Sequence, residues 1–362
     1  MLKGKTVAVV VPAYNEETQI GMVIETMPDF VDRIVIINDK SKDRTSEVIR
    51  DYIAKDTHET TTIPEFDKEI VKTRYNEADV VVHQAQVEEI KYYVKSEVYN
   101  TQEDTDRIIL IDHIDNGGVG AAIARGYKWC KDHNIDCTAV MAGDGQMDPD
   151  ELESICLPVI EEGIDYVKGN RLIHPSSKIV IPKIRFFGNS ILSIFTKIAS
   201  GYWKVSDTQT GYTAISLHAL RSIKIYDIYR SYGMPNDMLV KLNIISATLR
   251  EIEIKPVYRV GEQSKMKIKK VIRKVSWLLM KLFFQRLYQK YLIRDFHPLF
   301  LLYHLSFALG ILAIPYGLKI LMSFIQGYSL SYEPILAFFF LFTGSFQSYS
   351  SQCGWIFKTM TD

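Results

Sequence analysis

Two long apolar stretches near the C-terminal end constrain the fold of this chain more than any other feature. Residues 299–318 and 335–357 contain no Lys, Arg, Asp or Glu over 20 and 23 positions. A helix rises about 1.5 Å per residue, so about 20 residues cross a hydrocarbon layer about 30 Å thick. The short segment 327–334 between them favours a helical hairpin. The sequence therefore predicts that residues 297–362 form a two-helix transmembrane hairpin with a short tail.

The distribution of charge predicts where the rest of the chain lies. The 43 basic and 43 acidic residues balance overall, but ten Lys or Arg and no acidic residue occupy 265–294. The positive-inside rule places this stretch and the domain before it in the cytoplasm. The membrane is then the plasma membrane of a prokaryote or an ER-type membrane. Because aliphatic and aromatic residues interleave with the cations, residues 265–296 are expected to form amphipathic helices on an anionic membrane surface, not a nucleic-acid patch.

The first 264 residues alternate between strand and helix patterns. The predicted strands are Val7–Val11, Arg33–Ile37, Ile108–Ile111, Thr138–Met141 and Tyr166–Val167. The predicted helices are Glu17–Met27, Asp43–Tyr52, Gly120–Asp132, Asp150–Glu161 and 235–247. Repeated βα units predict a Rossmann-like α/β domain, with a mostly parallel sheet and helices on both faces. Residues 55–107 interrupt this alternation, and we interpret them as an insertion that contains a strand at Val80–His83 and a helix at Val87–Val94.

Polar clusters follow three of the predicted strands. They occupy residues 12–16, 38–45 and 143–149. One such cluster alone would be read as a turn, because Pro, Asn, Asp and Gly are common turn residues. Ligands of open α/β sheets bind at the carboxyl ends of the strands, where all three clusters would lie. Together they predict a binding site at this edge of the sheet.

With these motifs the chain resembles the family 2 glycosyltransferases of GT-A fold, and within them the dolichol-phosphate mannose and glucose synthase-like group. The resemblance covers roughly residues 5–265. Its motifs are PAYNE at 12–16, N-D-x-S-x-D-x-T at 38–45, H-x-x-N-x-G-x-G-A-A at 113–122, GDGQMDP at 143–149, GNR at 169–171 and DTQTGY at 207–212. It implies an enzyme that transfers a hexose from a nucleotide sugar.

The resemblance also implies roles for individual residues. The nucleotide-contacting positions are Pro12, Tyr14, Glu16, Ile37, Asp39 and Gly143. Asp144 matches the second acid of the family's D-x-D motif and would bind Mg²⁺ or Mn²⁺, with a further oxygen ligand from Gln146. Such ions take oxygen ligands and often few protein groups. The metal would neutralise charge on the departing nucleoside diphosphate.

Two positions depart from the family pattern. Ala142 stands where the first acid of the D-x-D motif is usual, and Asn38 stands where an Asp is common. The missing acid removes a ribose or metal contact but leaves Asp144, the main ligand. This departure keeps open an inactive membrane scaffold as an alternative to an enzyme.

Several residues match the family's phosphate- and acceptor-binding positions. Arg171 and Arg185 would hold phosphate groups, because guanidinium forms bidentate, charge-assisted bonds to phosphate. Asn189 matches a neighbouring phosphate position. Arg259 and Lys265 lie in a segment that resembles the family's flexible acceptor segment, directly before the predicted membrane-surface helices. These cations would therefore meet a lipid phosphate at the membrane surface.

The acceptor decides whether the reaction needs a base. A polyprenyl or dolichyl phosphate is already ionised at pH 7, so positioning and electrostatic stabilisation suffice. A sugar hydroxyl on a lipid-linked or cell-surface glycan needs a general base, for which Asp237 is the candidate, although this residue also suits a helix N-cap. The sequence favours inverting transfer from a UDP- or GDP-sugar to the lipid phosphate at the cytosolic membrane face. It leaves open whether the protein forms a homo-oligomer.

Overall fold

The structure is a computed structural model. It describes residues 1–58, 61, 63, 70–181, 183–257, 268–329 and 331–359. Within the helices, residues 178, 183–187, 268–272, 353 and 355–359 are described by their backbone alone.

A mixed sheet of eight strands forms the centre of the N-terminal part of the described chain. The strands are β1 Val7–Ala13, β2 Arg33–Asn38, β3 Ser96–Val98, β4 Ile108–His113, β5 Cys137–Val140, β6 Tyr166–Asn170, β7 Thr213–Ser216 and β8 Leu249–Glu253. Their order is β3-β4-β2-β1-β5-β7-β6-β8. The pairs β1–β2, β1–β5, β2–β4 and β6–β8 are parallel, whereas β3 and β7 run antiparallel to their neighbours. The predicted α/β class is confirmed.

Helices cover both faces of this sheet. They are α1 Ile20–Glu25, α2 Thr45–Lys55, α3 Glu77–Glu88, α4 Val119–Asp132, α5 Leu152–Glu161, α6 Ser177–Val180, α7 Lys183–Ser200, α8 Leu217–Ser222 and α9 Met234–Ile244. Successive side chains of a strand point to opposite faces, so Val9 and Val10 of β1 enter two separate apolar cores. Burial on both faces explains why the strand is apolar throughout.

The insertion folds differently from its prediction. The predicted strand at Val80–His83 is wrong, because α3 spans it. The helix predicted at Val87–Val94 is borne out as far as residue 92, since α3 runs to Glu88 and a 3-10 helix follows over Glu89–Tyr92. The chain then forms β3, which pairs antiparallel with β4. Three consecutive valines suggested a strand, but Val81 and Val82 are exposed and find no strand to pair with. The surrounding Glu, Gln and Ala residues are strong helix formers and outweigh the valines.

Three helices make up the C-terminal part: α10 Ile268–Tyr288, α11 Pro298–Gln326 and α12 Tyr332–Thr359. The last two pack side by side, and Ser306 and Ser345 exchange hydrogen bonds of 2.9 and 2.8 Å from each hydroxyl to the other's carbonyl. Of the described helices, α11 alone has both the length and the hydropathy for a membrane crossing. The first predicted span thus meets the physical requirement, while α12 forms as a helix beside it.

The basic stretch packs on the sheet domain and also carries exposed apolar residues. Arg286 of α10 is 1% exposed and donates to the carbonyl of Ile198 near the end of α7, at 3.2 Å. Further along, Lys290 donates to the carbonyl of Asn243, at 2.6 Å, near the end of α9. Cations stabilise helix C-termini because the last carbonyls lack partners within the helix. These residues therefore attach the C-terminal helices to the sheet domain.

Candidate functional site

A cavity of about 300 Å³ lies between the segment that follows β5 and the loop that precedes β7. Asp144, Gln146 and Arg171 line it, together with Gln209 and Tyr212. The structure thus brings together residues from three motifs that are far apart in the sequence. The cavity lies at the carboxyl end of β5, as expected for a ligand site in a sheet of this class.

The turn after β5 positions its acid and its amide on the cavity. Gly145 has φ +71°, a left-handed conformation that glycine adopts without strain. Asp144 Oδ1 accepts a hydrogen bond of 3.1 Å from the backbone N–H of Gln146. A side chain at Gly143 would bring its Cβ within 3.2 Å of the Pro12 carbonyl, so this glycine lets the turn approach the end of β1. The tight turn thus carries two oxygen-bearing side chains to one cavity.

These residues fit a divalent cation whose other ligands are oxygen atoms of water and substrate. The part of the chain that the structure describes contains no group of three or more His, Cys, Asp or Glu able to hold a metal ion. Mg²⁺ is commonly bound through one or two carboxylates plus substrate phosphates. Asp144 and Gln146 supply oxygen ligands of this sparse type, and Arg171 lines the same cavity.

Arg171 is held by a buried carboxylate. Its Nε and Nη2 donate to Asp207 Oδ2 and Oδ1 at 2.8 and 3.1 Å, and Asp207 is fully buried. Burial by itself raises the pKa of Asp207, but the charges of Arg171 and Lys168 outweigh it and lower the pKa, so the carboxylate stays ionised. A guanidinium fixed in this way has a defined orientation in the cavity wall.

The first two polar clusters interlock at the same edge. The N–H of Asn15 donates to Ser41 Oγ at 3.0 Å, and the N–H of Glu16 donates to Thr45 Oγ1 at 2.9 Å. Tyr14 is 38% exposed here, and the carbonyl of Pro12 accepts from the N–H of Gly143 at 3.3 Å. The three clusters therefore meet as the sequence predicts, with the first two beside the cavity.

Two residues predicted to contact the nucleotide have buried side chains. Ile37 is fully buried in the core beneath α4. Asp39 is 3% exposed, and its carboxylate accepts hydrogen bonds from His113 Nδ1 at 2.7 Å and from the N–H groups of Gly117 and Gly118 at 2.7 and 2.8 Å. Burial raises its pKa, but these three donors lower it further, so the net shift is downward. Asp39 joins the ends of β2 and β4.

The glycines that begin α4 admit the protein's own backbone. A Cβ at Gly118 would lie 2.4 Å from the carbonyl oxygen of Arg230, and one at Gly120 would lie 2.0 Å from that of Tyr229. The N–H of Gly120 donates to Arg230 O at 3.1 Å. These glycines therefore allow the backbone of residues 229–230 to lie against the start of α4.

Asp237 is neither a helix N-cap nor a cavity residue. The N-cap of α9 is Gly233, and Asp237 lies in the first turn, 2% exposed. Both of its oxygens accept from Lys241 Nζ, at 2.8 and 2.9 Å, and Oδ2 also accepts from the N–H of Tyr229 at 2.8 Å. Burial raises the pKa of Asp237 and the charge of Lys241 opposes this shift. The ion pair anchors the segment that precedes α9, and both oxygens of the predicted base accept hydrogen bonds within the protein.

The remaining residues with predicted roles lie away from the cavity or outside the described residues. Asn189 is half-buried on α7, and the side chain of Arg185, on the same helix, lies outside the described residues. Arg259 and Lys265 also lie outside the described residues. Sequence reasoning missed two residues behind the cavity, the buried Lys168 and the half-buried Glu251. A lysine in the middle of an apolar strand was the available signal for the first of them.

Comparison with known proteins identifies relatives of this chain. A family model described as glycosyl transferase family 2 matches residues 8–63 and 86–224, more than half of the chain. A UDP-N-acetylglucosamine–dolichyl-phosphate N-acetylglucosaminyltransferase of Methanococcus voltae is 26% identical over 255 residues, covering 70% of this chain and 86% of that protein. An uncharacterized protein of Methanocaldococcus jannaschii is 25% identical over 252 residues, covering 69% and 81%. The crystal structure of glucosyl-3-phosphoglycerate synthase from Mycobacterium tuberculosis, with Mn²⁺, UDP and glucosyl-3-phosphoglycerate, is 16% identical with a TM-score of 0.47, covering 78% and 80%.

Proposed function

Because the chain belongs to glycosyl transferase family 2, we propose that it transfers a hexose from a nucleotide sugar to a polyprenyl or dolichyl phosphate, with inversion. The relative from Methanococcus voltae is named for UDP-N-acetylglucosamine and dolichyl phosphate. That name makes UDP-N-acetylglucosamine the first donor to test.

One observation carries the proposal: Asp144, Gln146 and Arg171 line one cavity beside the end of β1. Asp144 and Gln146 would hold Mg²⁺ or Mn²⁺, and the bound ion supplies charge neutralisation to the departing diphosphate. Arg171, oriented by Asp207, would contact the same phosphates through charge-assisted hydrogen bonds. Fixed charges directed at developing negative charge need little reorganisation during the reaction.

The environment of Asp237 supports a phosphate acceptor. Its carboxylate is committed to Lys241 and to the backbone of Tyr229, so it is poorly suited to remove a proton from a sugar hydroxyl. A phosphate oxygen is already ionised and can attack the anomeric carbon directly. The new carbon–oxygen bond forms as the bond to the diphosphate breaks, and the nucleoside diphosphate leaves with the electron pair.

The C-terminal helices support a lipid as the carrier of that phosphate. We propose that α11 and α12 cross the membrane as a hairpin, with the sheet domain on the cytosolic side. The length and hydropathy of α11 suit a crossing. Arg286 of α10 and Lys290, in the π-helical turn after α10, join the hairpin to helices α7 and α9. The cavity would then remain close to the membrane surface where a lipid phosphate is presented.

The test is an assay with two matched acceptors. Purified full-length protein in detergent is incubated with Mn²⁺, a panel of labelled UDP- and GDP-sugars, and either a short polyprenyl phosphate or the corresponding polyprenol. We expect a labelled lipid with one donor and with the phosphate only. Transfer to polyprenol, or to neither lipid with any donor, would contradict the proposal.

A further inference from the structure

A lysine lies buried in the sheet directly behind the cavity. Lys168 of β6 is 0% exposed and is paired in register with Thr213 of β7 and Glu251 of β8. Its Nζ donates to the carbonyl of Thr210. Removing an ammonium from water is costly unless the protein supplies partners. A lysine at this position is therefore expected to make hydrogen bonds that an apolar residue could not make.

The partners of this lysine belong to, or bind, one loop. At the start of loop 206–210, Glu251 Oε1 accepts the backbone N–H groups of Ser206 and Asp207 at 2.8 and 3.0 Å. At its end, the carbonyl of Thr210 accepts from Lys168. The other oxygen of Glu251 accepts from Asn170 Nδ2 at 2.7 Å. Two neighbouring strands thus hold both ends of the loop by side-chain hydrogen bonds.

The same loop carries the residue that orients Arg171. Asp207 binds the Arg171 guanidinium through two hydrogen bonds, and the N–H of Gln209 donates to Asp207 Oδ1 at 3.2 Å. Two cations, Lys168 and Arg171, face two anions, Asp207 and Glu251, so the cluster is neutral in sum. Burial lowers the pKa of Lys168 to about 8, while Asp207 and Glu251 oppose this shift.

We propose that Lys168 and Glu251 are positioning residues that hold loop 206–210, so that Asp207 keeps Arg171 directed at the cavity. Neither residue lines the cavity, so both act through Arg171. The inference rests on the proposed function only where Arg171 is taken to contact the donor diphosphate. The arrangement of the loop itself is independent of any substrate.

The test compares two buried lysines in the full-length protein. Lys168→Met removes the charge and the donor at the loop, whereas Lys128→Met removes a lysine that is 2% exposed on α4 and bonded to Asp132 at 2.5 Å. Hydrogen exchange is measured at the amides of Ser206, Asp207 and Gln209. We expect exchange at least about tenfold faster in Lys168→Met and unchanged in Lys128→Met, since loss of local structure exposes amides to solvent.

Binding of UDP and GDP in the presence of Mn²⁺ gives the second readout. The relevant ligand is whichever nucleoside diphosphate the wild type binds. We expect its affinity to fall about tenfold in Lys168→Met, because one charge-assisted contact is weakened. Lys168→Arg should restore the affinity. Glu251→Ala opens the loop from its other end and carries the test if Lys168→Met does not fold.

The outcomes separate this inference from the proposed function. Wild-type exchange rates at these amides in both Lys168→Met and Glu251→Ala would overturn the positioning role, whatever the enzyme turns over. Faster exchange in these variants, without nucleotide binding or turnover by the wild type, would support the loop arrangement and contradict the proposed function. Faster exchange with unchanged nucleotide affinity would overturn the link from the loop to Arg171.

Discussion

The strand ends after β2 and after β5 both carry an acidic motif residue, but the fold uses the two acids in opposite ways. Asp39 after β2 is buried and accepts hydrogen bonds from His113, Gly117 and Gly118. Asp144 after β5 is half-buried, accepts a hydrogen bond from its own turn, and lines the cavity. One acid connects two strand ends, and the other faces the cavity.

The difference comes from the donors that neighbouring segments supply. The loop after β4 directs two glycine N–H groups and one imidazole at Asp39, and a carboxylate that accepts several hydrogen bonds is stabilised inside the protein. Asp237 on α9 is also buried and hydrogen-bonded, with Lys241 as its main partner, but burial outweighs these contacts and its pKa is raised. A polar residue at a strand or helix end therefore predicts the functional edge, but its neighbours decide whether it reaches a ligand.

The largest effect is expected at Asp144, the acid that lines the cavity. Asp144→Ala should reduce transferase turnover by at least about 100-fold, because on the proposed function it removes the main protein ligand of an ion that would neutralise the leaving diphosphate. Turnover with Mn²⁺ and thermal unfolding are measured together, and Asp150→Asn, an exposed acid of the same segment, is the matched control. Near-normal turnover in Asp144→Ala would remove the distinction between the two strand ends.

The buried ion pair on α9 gives the next prediction. Asp237→Asn leaves the buried Lys241 ammonium with only the exposed Asp227 carboxylate, at 3.7 Å, so the free energy of unfolding should fall by about 3 kcal/mol. Turnover of the folded fraction with a phosphate acceptor should stay within about threefold. Denaturant unfolding and initial rates check the two parts. A collapse of turnover at unchanged stability would instead identify Asp237 as a base.

A smaller loss of stability is expected at Asp39. Asp39→Asn leaves the two glycine N–H groups with a weaker, uncharged acceptor, and the free energy of unfolding should fall by about 1–3 kcal/mol. Asp144→Asn is the matched control and should change it by less than about 0.5 kcal/mol. Equal losses in the two variants would show that both acids are structural.

The smallest effect is a pH dependence of the Asp39 contribution. The pKa of Asp39 is lowered in the folded protein, so the stabilisation is fully present above the unfolded value of about 3.9. It is lost as the pH falls from there through the folded pKa. The difference in stability between wild type and Asp39→Asn should therefore be constant from about pH 5 to 7 and shrink below about pH 4. A difference that grows on acidification would contradict this account.

Local patterns in the sequence predicted most of the sheet. The runs around Val9 and Ile36 are apolar at every position because both faces of these strands are buried, and that pattern is readable without a structure. The strand in the insertion was predicted wrongly because the three valines of α3 pack against no apolar core and have no partner strand. Their strand propensity therefore did not decide the local structure. Strand β3 is short and half-exposed, and its pairing with β4 depends on residues far away in the sequence.

The sequence by itself determined the family, the edge of the sheet that carries the site, and the presence of Asp144, Gln146 and Arg171 there, because motif residues at strand ends converge in any sheet of this class. Tertiary structure alone decided that Asp39 and Asp237 are interior residues and that Lys168 and Glu251 stand behind Arg171. The exposure and partners of a charged side chain depend on segments distant in sequence. A motif specifies which residue is present, whereas packing specifies which of its atoms remain available to a ligand.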